Sequence, residues 1–259
     1  MRQAEHSETR QWLDRHGLTG AEPTPLLARR LAVRRRARLV GDILLAAFLI
    51  GAALTHATGR ATDTAYSWLP LLVLTALVVG MLVVQWLLRE WVRRVDRRAG
   101  AQLPRRVAHP VGFGWPAVLG RPYAVFTVAA YTGALALAVS VLPVSDPVLR
   151  AGAAVVLIGL VGAGAGMIMQ LRQVLTSPAV AEDEASLTAD VVMRVEDARA
   201  LVTPSLVWSL PAIFLYGESL GWWNAVAVGL VVAGAVAFGL VQTRTMAVGV
   251  TARQAMIVR

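Results

Sequence analysis

The chain of 259 residues has no cysteine and no lysine; all 25 of its basic residues are arginine. Without cysteine there are no disulfides, no thiol nucleophile, no thiolate metal site and no lipid-modified N-terminal cysteine. Without lysine there is no GxxxxGK phosphate loop and no Schiff-base chemistry. Charge is scarce overall, at 16% of residues, against about 25% in a soluble domain. None of the four histidines, His6, His16, His56 and His109, is paired at helical spacing, and no HExxH occurs. The serines lack a GxSxG setting. Asp183, Asp190 and Asp197 recur every seven residues. At 1.5 Å rise they lie about 10.5 Å apart on one helix face, too far to share an ion that binds oxygen at about 2.0–2.6 Å. These absences predict a non-enzymatic chain with no cofactor, no metal and no catalytic residue.

Apolar residues make up 56% of the chain, gathered into long runs. Six of these, near 39–57, 68–88, 123–142, 148–170, 206–216 and 223–241, approach or reach the length that crosses a hydrocarbon layer of about 30 Å. The fifth is the shortest, and Pro211 interrupts it. The expected fold is all-α: a polytopic transmembrane helical bundle of six spans in three hairpins. The first 38 residues are polar and lead into a full-length run, so they do not read as a cleavable signal and the first span is retained.

The arginines assign the sides. Nine lie in residues 1–38, eight in 89–121, three in 171–205 and three after 241; only Arg60 and Arg150 fall elsewhere. The positive-inside rule places both termini and the connections 89–121 and 171–205 in the cytoplasm of a cell-membrane protein. The chain then divides into an arginine-rich N-terminal region 1–38, a membrane domain 39–241 and a tail 242–259. The net charge of +9 reads as topology and contact with anionic lipid, not as nucleic-acid binding. Tyr66, Trp68, Tyr216, Trp222 and Trp223 mark one interface; Trp86, Trp91, Trp115 and Tyr123 mark the other.

At the arginine-rich side, Ser7 caps a short helix that Gly17 ends. Thr24-Pro25 opens a second helix that runs into the first span. Gly100 is placed to stop the second span's extension, and Pro122 to open the third span.

The stretch 171–205 is the exception to the basic balance, with six acids against three arginines. Leu187, Val191, Val195, Ala198 and Val202 form one helical stripe. Asp190–Arg194 and Glu196–Arg199 are spaced for intrahelical pairs. An anionic membrane repels such a helix and a basic protein surface attracts it. The expected contact sets Glu182, Asp183, Glu184, Asp190, Arg194, Glu196 and Asp197 against Arg93, Arg94, Arg97 and Arg98, on the same chain or on a partner.

Charge is missing from the middle of the spans. Asp42 lies just inside the first, with Arg38 spaced to pair with it. Small residues are plentiful there. Gly159, Gly162 and Gly166 in GLVGAGAG, and Gly229, Ala233 and Ala237, have the spacing for close helix packing, within the chain or between copies.

The arginine-without-lysine usage, the Ala/Val/Gly spans and the AEDE-containing helix resemble six-span membrane proteins of high-G+C actinobacteria that have no assigned activity. The N-terminal surface helix and the connection after the second span are similar in layout to permease subunits of ABC exporters. That resemblance implies a membrane subunit or scaffold for a soluble partner such as an ATPase. The other readings are a transporter of a small neutral or lipophilic substrate and a lipid-acting enzyme without a recognisable motif.

Overall fold

The computed structural model describes residues 3–61, 68–101, 119–177, 184–202, 207, 210–216, 221–245 and 247–257. Among these residues there are eight α-helices, one 3₁₀ helix and no strands. In chain order the α-helices are α1 (Gln3–Arg15), α2 (Pro25–Ala61), α3 (Trp68–Ala101), α4 (Arg121–Val141), α5 (Pro147–Thr176), α6 (Glu184–Val202), α7 (Gly221–Arg244) and α8 (Val248–Ile257). The 3₁₀ helix is Leu210–Tyr216, between α6 and α7.

Five helices (α2, α3, α4, α5 and α7) are long and apolar enough to cross a membrane. The chain is a multi-pass membrane protein. The fifth expected span, 206–216, is described only as the seven-residue 3₁₀ helix, which at about 2.0 Å per residue covers roughly half a bilayer core. Pro211 sits in the first turn of this helix, where its missing N–H costs no helical bond. Leu210, Ile213 and Phe214 of this short helix are almost fully buried, so it is an internal plug of the bundle.

Local chemistry sets the helix ends. Thr24 Oγ1 accepts the Leu27 amide at 3.2 Å, with Pro25 opening α2. Pro122 stands at the start of α4. Gly17, at φ 70°, turns the chain after α1 in the left-handed region that glycine tolerates best.

The bundle core joins Phe48 of α2, Leu74, Val78 and Met81 of α3, Leu137 and Val141 of α4, Val156 and Leu160 of α5, and Phe214. Lipid is as apolar as these side chains, so close packing holds the helices together here. Gly159 and Gly162 make that approach possible. A Cβ on Gly159 would lie 3.0 Å from Leu210 Cδ1, and one on Gly162 would lie 2.6 Å from Leu82 Cδ1. Gly166 and Gly229 face open space. Gly229 and Ala233 lie on the exposed face of α7, and Ala237 is half-buried.

A second core occupies one end of the bundle. It gathers Trp12 and Leu13 of α1, Leu27 of α2, Leu119, the buried face of α6 and Ala252 of α8. This end layer also receives the C-terminal part of α3, through Asp96, and that of α5, through Val174.

Candidate functional site

The acidic helix α6 is the centre of the end layer. Burial is not confined to the expected stripe, because Ala189, Val192 and Met193 are enclosed as fully as Val191 and Val195. Its polar side chains must therefore find partners inside the protein. Asp190 is completely buried. It accepts from Arg30 Nη2 at 2.6 Å and from Arg194 Nε at 2.8 Å. Arg194 in turn donates from Nη1 to the Ser177 carbonyl at 2.6 Å, tying α6 to the end of α5.

Arg30, Arg34 and Arg38 follow one another at four-residue spacing, so one face of α2 carries three guanidinium groups. Arg34 donates to Asp197 Oδ2 at 2.9 Å and to both oxygens of Asp96, at 3.0 and 2.6 Å. Arg30 Nε reaches Asp96 Oδ1 at 2.8 Å. Arg38 meets Glu196 at 3.2 Å, although its spacing had placed it for Asp42. The core of this network is neutral: Arg30, Arg34 and Arg194 balance Asp96, Asp190 and Asp197. It clamps α2, α3 and α6 through charge-assisted bonds.

Two further contacts close the layer. His16 Nδ1 donates to the Trp12 carbonyl at 2.8 Å, and Nε2 lies 3.2 Å from Glu196. Both ring nitrogens thus face acceptors, which favours the imidazolium. Burial opposes that charge, but the bonds to Glu196 and Trp12 outweigh it and raise the His16 pKa. Burial also disfavours the Glu196 carboxylate, yet His16 and Arg38 hold its pKa below the ordinary value. On the other flank Arg199 donates to Thr251 Oγ1 at 2.9 Å and lies over the Tyr123 ring. Burial lowers the pKa of its guanidinium.

Asp190, Arg194, Glu196 and Asp197 thus come together, and the basic surface they meet belongs to the same chain. It is made by Arg30, Arg34 and Arg38. Arg93, Arg94 and Arg97 converge on Glu90 of their own helix. Arg98 lines a cleft of about 360 Å³ with Arg29, Arg30 and Val95. Glu184 opens α6, while Glu182 and Asp183 lie outside the described residues. Sequence reasoning missed Arg30, Arg34 and Asp96 as individuals. The available signals were the four-residue spacing of the α2 arginines and the single acid in VRRVDRR.

A cavity of about 320 Å³ lies beside this network, between α3, α4, α5 and α6. Arg89, Gln85, Tyr131 and Gln170 supply its polar lining, and Gly162 and Gly166 part of its wall.

No family model, curated protein or solved structure matches the chain.

Proposed function

We propose that the chain is a non-enzymatic membrane subunit or scaffold whose end layer faces the cytoplasm and docks a soluble partner, such as a transport ATPase. The observation that carries this reading is the end layer itself. A bundle that only had to cross a bilayer would not need a second hydrophobic core clamped by buried ion pairs. The positive-inside rule supports the cytoplasmic placement, since this end holds Arg30, Arg34, Arg94 and Arg97.

Six crossings are supported by the positions of the chain ends. Val202 lies in the end layer, where its carbonyl accepts from Thr127. The C-terminal end of α7 leads directly into α8, which packs on α6. Gly221 therefore starts at the far end, and the buried helix Leu210–Tyr216 stands between the two ends.

With Asp190, Glu196 and Asp197 turned inward, Arg35, Arg94 and Arg97 keep their guanidinium groups exposed beside Glu8 and Glu90. They suit a partner with an acidic docking face. The test is affinity purification of the full chain in mild detergent with a fixed-stoichiometry readout of bound ATPase. A co-purifying ATP-hydrolysing subunit, lost in the Arg94→Glu/Arg97→Glu double variant, is the expected result. Solute movement by the purified chain alone in proteoliposomes would overturn the reading. It would favour a transporter of a small neutral or lipophilic substrate, for which the 320 Å³ cavity is the supporting feature.

A further inference from the structure

Arg89 stands apart from the other arginines around it. Asp197 is engaged by Arg34, and Glu90 by Arg93, Arg94 and Arg97. Among the described residues no carboxylate lies within 4 Å of Arg89, although it lines the cavity between α3, α4, α5 and α6. A cation in such a place needs a counter-charge, and the acid that acts on it from beyond that distance, Asp197, is already bonded to Arg34. Three neutral polar groups share the cavity: Gln85, Gln170 and the Tyr131 hydroxyl. Gln170 is only 7% exposed, so its amide is held within the protein beside the cavity.

The remaining walls are apolar and narrow-chained. Ala165 and Gly166 leave a groove along α5; a Cβ on Gly166 would touch nothing within 4 Å, while Leu82 fills the space over Gly162. The rim carries Trp86 and Met169, both about half exposed on the lipid-facing surface. The cavity therefore opens sideways toward acyl chains. Trp86 and Trp91 flank Arg89 at the height where aromatic residues meet the headgroups. A volume of about 320 Å³ is at the small end for a ligand pocket. It holds a headgroup and the start of a chain, and the rest of the molecule stays in the bilayer.

We propose that this cavity binds one anionic phospholipid, with its phosphate on Arg89, polar contacts from Gln170 and Tyr131, and an acyl chain along the groove at Gly166. The shared chemistry is a phosphate oxyanion on a guanidinium, which forms two parallel bonds. The lateral apolar groove favours the lipid over free phosphate. The site stands whether or not the subunit reading holds.

Native mass spectrometry of the full chain, released from detergent micelles doped with equal phosphatidylglycerol and phosphatidylcholine, tests it. One retained phosphatidylglycerol per chain is expected. Arg89→Gln should lower retention by roughly tenfold or more, from the loss of a charge-assisted contact. Arg98→Gln, on the exposed end of α3, should leave it unchanged. Gly166→Leu, whose side chain enters open space, fills the groove and should also release the lipid. That variant keeps the test valid if Arg89→Gln fails to fold. Equal retention of the two lipids, or undiminished retention in both Arg89→Gln and Gly166→Leu, would overturn the proposal. Displacement of the lipid by millimolar inorganic phosphate would also overturn it, by showing a free-anion site.

Discussion

Asp190 has the most demanding position of any side chain in the network. It is fully buried and is shared by two guanidinium groups from different helices. Asp190→Asn takes a shared carboxylate away from both Arg30 and Arg194. Breaking a buried pair in this way costs about 3–5 kcal/mol, because the remaining charge is uncompensated. The melting temperature in detergent should fall by several degrees. Glu8→Gln, which breaks the solvent-exposed pair with Arg35, should leave the melt unchanged. The His16–Glu196 pair adds a pH dependence of definite sign. The raised His16 pKa contributes stability that is present below the ordinary value of 6.5 and lost as pH rises through the raised one. The lowered Glu196 pKa contributes stability that is present above the ordinary value of 4.5 and lost as pH falls through the lowered one. The pair is therefore strongest between those two ordinary values. Melting temperature should decline as pH rises above about 6.5, and His16→Gln should flatten that decline.

At the scale of helices, two glycines at similar distances from a neighbour make opposite demands. A Cβ on Gly249 would lie 2.5 Å from the His16 backbone oxygen, and one on Gly162 would lie 2.6 Å from a Leu82 methyl. Backbone cannot step aside, whereas the end of a leucine can rotate. Gly249→Ala should lift α8 off α1, seen as faster hydrogen exchange of the α8 amides. Overpacking of this kind costs about 1–3 kcal/mol. Gly162→Ala should leave both the melt and the exchange of α5 near those of the unaltered chain. The helices themselves were largely legible beforehand. The apolar runs located α2, α3, α4, α5 and α7, and Thr24-Pro25 and Pro122 marked two starts correctly, because caps are local chemistry. The stripe assigned to α6 was incomplete for a physical reason. Ala189, Val192 and Met193 are also apolar, so the helix can be buried on most sides once Asp190 and Arg194 neutralise one another. The partners of Asp190 and Asp197 were illegible for another reason: they sit 160 and 163 residues away, and no periodicity records which of many arginines a distant carboxylate meets.

For the molecule as a whole, absence of cysteine is an experimental asset. Single cysteines can be introduced into the chain with no background. Ser145 lies in the exposed turn between α4 and α5, and Ser177 at the other end of α5. A membrane-impermeant maleimide should label Ser145→Cys in intact cells and Ser177→Cys only after permeabilisation. The reverse pattern would invert the proposed orientation, and labelling of both from outside would show that α5 does not cross.

The clamp also imposes an order on biosynthesis. Arg30 and Arg34 leave the ribosome early, and Asp96 follows to neutralise part of their charge. Asp190 and Asp197 emerge only about a hundred residues later, a delay of roughly 5–20 s at ordinary rates of translation. Throughout that interval the nascent protein holds two guanidinium groups against one carboxylate. A product truncated before α6 keeps that imbalance permanently.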